Sequence, residues 1–164
     1  MVNKLPTKRI KVPVKKHAKG ESFSKELEKF GRYIVGISLE SLKTVGKYDA
    51  LNRTNEFYFR VDSSSVFRTR VPNKGNIELR ENQAFLAKSN KLTLWSEFVK
   101  FKKEEEKLIE VEVQLREEDP GKDSVLAKKK FKIKCPTATT YEIVQSKDGK
   151  TKAKSKIFAK KTLY

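Results

Sequence analysis

An antiparallel β-sandwich of about eight strands is the fold this sequence predicts, and three observations predict it. From Gly31 onward, apolar and polar residues alternate with a period of two in one run after another, as they do when successive side chains point to opposite faces of a strand. Turn signals punctuate the runs, among them Pro72-Asn73-Lys74-Gly75 and the pair Asp148-Gly149 between two alternating segments. Helical spacing is confined to one short segment near the N-terminus.

Residues 1–20, MVNKLPTKRIKVPVKKHAKG, carry Lys4, Lys8, Arg9, Lys11, Lys15, Lys16 and Lys19 and no acid. Pro6 and Pro13 oppose a helix, so the segment is expected to be an extended basic arm, ordered by a partner. In residues 21–30, Phe23, Leu27 and Phe30 fall at helical spacing behind Ser22 as N-cap. This predicts one short amphipathic helix ending near Gly31.

Residues 31–164 form the sandwich domain. Its first expected strand is RYIVGISLE (32–40). In EFYFRV (56–61), Phe57, Phe59 and Val61 oppose Tyr58 and Arg60. SVFRTRV (65–71) alternates similarly, and Ile77 and Leu79 begin a short strand after the proline turn. LTLWSEFVKF (92–101) is apolar on both faces, which predicts an inner strand. LIEVEVQLR (108–116) sets Ile109, Val111, Val113 and Leu115 inward against Glu110, Glu112, Gln114 and Arg116. VLAKKKFKIK (125–134), TTYEIVQS (139–146) and TKAKSKIFAKK (151–161) complete the set.

Two of these strands carry rows of lysine. In 125–134, Val125, Ala127, Phe131 and Ile133 share one face, interrupted by Lys129; Lys128, Lys130, Lys132 and Lys134 share the other. In 151–161, Lys152, Lys154, Lys156 and Lys160 share a face with Phe158. Same-face neighbours sit about 7 Å apart along a strand. Such a row is either a solvated outer face that blocks edge-to-edge aggregation or a stripe of contact with a polyanion.

Bulk composition favours the second reading. The 164 residues hold 38 Lys plus Arg against 21 Asp plus Glu, a formal net charge of +17. That excess points to a polyanionic partner: nucleic acid, an anionic membrane or an acidic protein surface. Lysine supplies most of it, and lysine suits attraction to phosphates better than readout of bases. The acids are segregated, with Glu104, Glu105, Glu106, Glu110, Glu112, Glu117, Glu118 and Asp119 gathered in one stretch.

The sequence holds no phosphate-binding glycine loop, no GxSxG and no HExxH, and its single histidine and single cysteine are far apart. No enzymatic activity is therefore expected. Cys135 shares a face with Ile133 and Phe131, which predicts a buried structural thiol. No apolar run is long enough for a membrane-spanning helix or a signal peptide, so an intracellular, non-secreted product is expected.

The segment VQLREEDPGKDSVLAKKKFKI (113–133) resembles the strand, acidic loop and strand of C2 domains. KYDALNRTNEFYFRV (47–61) resembles the C2 stretch in which an aspartate precedes an aromatic strand. Together the similarity spans about residues 32–135. It implies a C2-like sandwich and, at the family's acid positions, a candidate calcium set of Asp49, Glu117, Asp119 and Asp123. C2 domains also carry lysine-rich strands that bind anionic lipid headgroups without calcium, which is one reading of Lys128 to Lys134.

Two functions follow as expectations. The first is a non-enzymatic binding subunit of a nucleic-acid-containing assembly, such as a virion or ribonucleoprotein particle. It would dock on other subunits, on phosphate backbone or on an acidic protein surface through the arm and the lysine rows, without a cofactor. The alternative is a C2-type peripheral membrane module that binds anionic headgroups, with or without calcium.

Overall fold

The computed structural model describes residues 30–48, 54–88 and 92–163. The arm expected at 1–20, and residues 21–29 of the expected helix, lie outside them. Phe30 is not helical; it begins β1 (Phe30–Thr44). Nine further strands follow: β2 (Asn55–Ser63), β3 (Thr69–Val71), β4 (Ile77–Leu79), β5 (Ala84–Leu86), β6 (Thr93–Lys102), β7 (Lys107–Glu117), β8 (Ser124–Cys135), β9 (Thr140–Gln145) and β10 (Thr151–Lys161). Of the three-residue pieces beside longer strands, β3 and β4 fall within expected segments and β5 does not.

All pairings are antiparallel and build two five-stranded sheets. Sheet A runs β5–β1–β10–β9, and β6 joins the free half of β1. Sheet B runs β3–β2–β7–β8, with β4 on the other half of β2. Between them lies one core. Val35, Ile37, Leu39 and Val99 of sheet A pack with Phe57, Phe59, Val111, Val113, Leu115 and Phe131 of sheet B, all at most 2% exposed. Fully burying one such side chain stabilises the fold by about 1.5–3 kcal/mol. Cys135 is buried in the same core, and burial pushes its thiol pKa up against the opposing pull of Lys107.

Three expectations need correction. Val66 and Phe67 are loop, not strand: Asp62 Oδ1 accepts the Arg68 N–H (2.6 Å), and Arg68 takes a left-handed φ of 45° that breaks the extension. Phe67 is consequently 80% exposed. β6 is an edge strand, and its outward Phe98 is 53% exposed beside Ile34 on β1. Val125 is also exposed, because a bulge in β8 between Ala127 and Val125 ends the alternation there.

Lys129, the interruption in the apolar face of β8, has a structural task. Its ammonium lies 2.6 Å from the Glu142 carboxylate of β9 and donates to the Ile143 carbonyl at 3.2 Å. The bridge closes the side of the sandwich where β8 and β9 are both edges.

The β9–β10 hairpin turns where Asp148-Gly149 predicts, with Gly149 at φ 74°. Asp148 Oδ1 accepts hydrogen bonds from Ser146 Oγ, Tyr48 Oη (3.2 Å) and the Lys150 N–H (3.0 Å). Tyr48 Oη also meets Thr151 Oγ1 at 2.7 Å, which ties the end of β1 to the hairpin.

Two expected outcomes follow from this packing. The Ser146 hydroxyl, then the Lys150 N–H, hold the Asp148 carboxyl below its ordinary pKa of 3.8. A group whose pKa is lowered by folding adds stability above its unfolded pKa and loses it as pH falls through the folded value. Acid unfolding monitored by circular dichroism should therefore show a smaller loss of stability below about pH 4 in Asp148→Asn than in the parent. Gly36 lies under the ring of Phe158: a Cβ there would sit 2.5 Å from the ring and 2.9 Å from the Trp95 carbonyl oxygen. Gly36→Ala should lower stability by about 1–3 kcal/mol in denaturant titration despite alanine's lower conformational freedom, whereas relief of a merely flexible glycine would raise it.

Candidate anion-binding faces

The two lysine rows, alike in sequence, differ in their surroundings. On β8, the row lies beside the outward glutamates of β7. Lys128 Nζ is 3.0 Å from Glu112, Lys132 Nζ 3.7 Å from Glu110 and Lys134 Nζ 3.6 Å from Glu106. Lys130 stands opposite Glu112 in register. Burial raises the Glu112 pKa, but the Gln114 amide and the Lys128 ammonium outweigh it and hold the carboxyl below its ordinary value. The acidic stretch that looked segregated in sequence is thus laid against the lysines by strand pairing.

The outer face of sheet B gathers arginines that the sequence reading did not select. Across four strands runs the row Arg70, Arg60, Gln114, Lys128. Arg116 lies one row away, opposite Tyr58. Tyr58 is 1% exposed although it points outward, because the Arg70 guanidinium lies 3.8 Å from its ring centroid and Arg116 at 5.9 Å. Its hydroxyl donates to Asp123 Oδ2. Burial and this hydrogen bond raise the phenol pKa, against the opposing charge of Arg116.

Each carboxylate around this row is already engaged. Arg70 holds Glu118 at 3.0 Å, Lys128 and Gln114 hold Glu112, Tyr58 holds Asp123 and the Arg68 amide holds Asp62. Arg116 donates to Gln114 Oε1 and to the Asp123 carbonyl. Arg60 and Lys130 are the cations left over: neither side chain makes a hydrogen bond or ion pair within 4 Å among the described residues, and the Arg60 Nε is in addition buried without a partner. Arg60 also stands directly opposite Arg70, a like-charge pairing that costs stability unless an anion lies between. A guanidinium fork without a partner is suited to bidentate contact with a phosphate or carboxylate.

The outer face of sheet A is cationic in a different way. Lys152, Lys154, Lys156 and Lys160 of β10 have no carboxylate within 4 Å among the described residues. Lys152 stands opposite Lys43 of β1, and Arg32 of β1 opposite Lys100 of β6, two more like-charge pairs. The only acids in the described strands of this sheet are Glu40 in the β1 bulge, Glu97, which accepts from Ser65 Oγ (2.8 Å), and Glu142, which is taken by Lys129. Among the lysines stand exposed apolar side chains: Ile34, Phe98, Tyr141 and Ile143, the Lys154 ammonium lying 4.7 Å from the Tyr141 ring centroid.

Of the four carboxylates that the resemblance assigned to calcium, three lie among the described residues, and each is differently engaged. Asp49, like the basic arm from Lys4 to Lys19, lies outside the described residues. Glu117 is buried at the end of β7, Asp119 Oδ2 accepts from Ser124 Oγ (2.8 Å), and Asp123 is taken by Tyr58. Among the described residues no group of three or more histidine, cysteine, aspartate or glutamate side chains is placed to hold a metal ion. Calcium takes six to eight oxygen ligands, and Glu117, Asp119 and Asp123 as placed do not by themselves assemble such a set. The sequence did contain a signal for the arginine row: Arg60, Arg70 and Arg116 all fall on outward positions of alternating runs. Only the register shows that they meet.

No family model and no curated protein sequence matches the chain. Solved structures are similar in fold. A structure of a C2 domain matches at a TM-score of 0.39 with 13% identity, covering 80% of this chain and 98% of that one. Human GIVD cytosolic phospholipase A2 matches at 0.50 with 14% identity, over 81% of this chain but only 17% of that protein. A C2 domain of plant extended synaptotagmin 1 matches at 0.46 with 11% identity, covering 82% and 97%. At such identities the likeness is one of fold alone, and a loose one: the chain is a C2-like antiparallel β-sandwich.

Proposed function

We propose that this chain is a non-enzymatic, C2-type binding module that takes phosphate-bearing lipid headgroups on the outer face of sheet B. The observation that supports this reading most is Arg60, a guanidinium with no partner at the centre of a row of donors whose neighbouring carboxylates are all occupied. A phosphate monoester between Arg60 and Arg70 would relieve their repulsion and supply acceptors to both forks. Lys128 and Lys130 stand at the rim of the same face and add attraction toward an anionic surface, worth about 1 kcal/mol for each lysine or arginine close to it. The fold supports the membrane-module reading over the nucleic-acid-assembly reading, and the arginine row does so as well. Its geometry fits one compact headgroup, while the regular path of a duplex backbone needs unpaired cations along a groove.

The test is co-flotation of the full chain with phosphatidylcholine vesicles carrying phosphatidic acid, whose headgroup is a phosphate monoester, compared with vesicles carrying phosphatidylserine. A hydrogen bond to a charged group is worth about 1.5–3 kcal/mol, so Arg60→Ala should weaken phosphatidic acid binding about tenfold or more. Arg60→Lys should fall between, because it keeps the charge but not the fork. Glu112→Gln, which releases Lys128, should strengthen binding severalfold while lowering stability. Equal flotation of Arg60→Ala and the parent would overturn the headgroup site. Sedimentation with a nuclease-sensitive, detergent-resistant particle from lysate would restore the assembly reading in its place.

A further inference from the structure

The unpaired lysines of sheet A are not absorbed by a headgroup site on sheet B, because the two outer faces point in opposite directions with the core between them. Paired sheets pack about 10 Å apart, so no single flat bilayer touches both faces. We infer that the outer face of sheet A is a second contact for an anionic bilayer, and that the module bridges two membranes; the bridging rests on the sheet B reading above.

The choice of a bilayer as the occupant comes from how charge and apolar surface are mixed there. Lys43 against Lys152 and Arg32 against Lys100 are cross-strand like-charge pairs with no carboxylate to offset them among the described residues. An extended anionic surface relieves several such pairs at once. A bilayer does so without requiring any particular spacing of phosphates. The apolar residues sit in the same plane. Ile34 and Phe98 are neighbours across β1 and β6, and Tyr141 and Ile143 flank Lys156 and Lys154 on β9, each of the four between 40% and 54% exposed. Lysines whose stems lie along such side chains hold their ammonium groups at the headgroup level while the apolar groups enter the interface. A nucleic acid backbone would use the lysines but leave Ile34, Phe98 and Ile143 in water.

Membrane bridging is read by the turbidity and light scattering of phosphatidic acid vesicles, with flotation of the same samples reporting simple binding. The parent chain should cluster vesicles, and clustering should fall steeply as salt is raised. The variant with Lys152, Lys154, Lys156 and Lys160 all changed to Gln should still float with vesicles through Arg60 but cluster them at least tenfold less. Should that variant fold poorly by thermal unfolding, Phe98→Ser with Ile143→Ser, which leaves every charge in place, should show the same split between binding and clustering. Binding by the parent without clustering, or clustering undiminished in both variants, would overturn the inference. If instead the lysine variant lost all vesicle binding and Arg60→Ala lost none, sheet A would be the single membrane face. Both the bridging and the sheet B site would then fail, an outcome distinct from either failing alone. Selective capture of RNA by the sheet A face, without vesicle clustering, would likewise overturn it.

Discussion

The register between β7 and β8 decides what the rest of the surface can do. Glu110 faces Lys132 and Glu112 faces Lys130, with Lys128 reaching diagonally to Glu112. A slip of β8 by one residue would turn Lys128, Lys130, Lys132 and Lys134 into the core, so the buried alternation of Ala127, Phe131 and Ile133 against Val111, Val113 and Leu115 fixes the electrostatics along with the packing. Because these exposed pairs are each worth at most about 1 kcal/mol, they do little to hold the sheet together. Their effect is to use up charge. Neutralising most of the β8 row leaves Arg60, with Lys130, as the unsatisfied charge on the outer face of sheet B.

Sheet A lacks such compensation for a reason visible in its strands. β10 is central, flanked by β1 and β9, and neither neighbour places an acid on the outer face opposite a lysine. Its inward face is correspondingly conservative: Ala153 and Ile157 fill the core, and Thr151 reaches Thr44 and Tyr48 through its hydroxyl. The strand is therefore anchored by its inner side and its hydrogen-bonded neighbours, which lets the outer side carry repulsive pairs without unfolding. At the open side of the sandwich, Lys129 commits its charge to Glu142 and to the Ile143 carbonyl. One lysine of the β8 sequence is thus a structural clasp, its neighbours are partners of glutamate, and none of these roles is distinguishable from spacing alone.

The alternation of apolar and polar residues made the sandwich and most of its strands legible, because period-two patterning reports the face on which a side chain lies without reference to any partner. The hairpin at Asp148-Gly149 was legible for the same local reason. Where the reading failed, a non-local or conformational fact intervened. Val66 and Phe67 alternate like a strand, but the Asp62 carboxylate captures the Arg68 amide and bends the chain. β6 has two apolar faces, but the outer one meets Ile34 at an edge and is not covered by another layer among the described residues. The lysine rows were found, yet their difference was not, since it depends on which strand lies alongside. The arginine row was missed because Arg60, Arg70 and Arg116 are separated by up to 56 positions in sequence and meet only through pairing of β2 with β3 and β7.

Like-charge neighbours argue for use more strongly than net charge does. A large positive charge can be spread over a surface at little cost in salt, because exposed charges beyond about 10 Å hardly interact at physiological ionic strength. Directly opposed cations on paired strands lie well inside that distance, and each such pair weakens the sheet. Arg60 with Arg70, Lys43 with Lys152 and Arg32 with Lys100 are three such pairs, on both outer faces. A fold that places glutamates correctly against the β8 lysines shows that compensation is within its means. Arg70 keeps Glu118, but Arg60 and both cations of each sheet A pair have no carboxylate within 4 Å among the described residues. This fits a surface whose missing counter-charges are supplied from outside, and binding that supplies them raises stability by mass action as well as occupying the site.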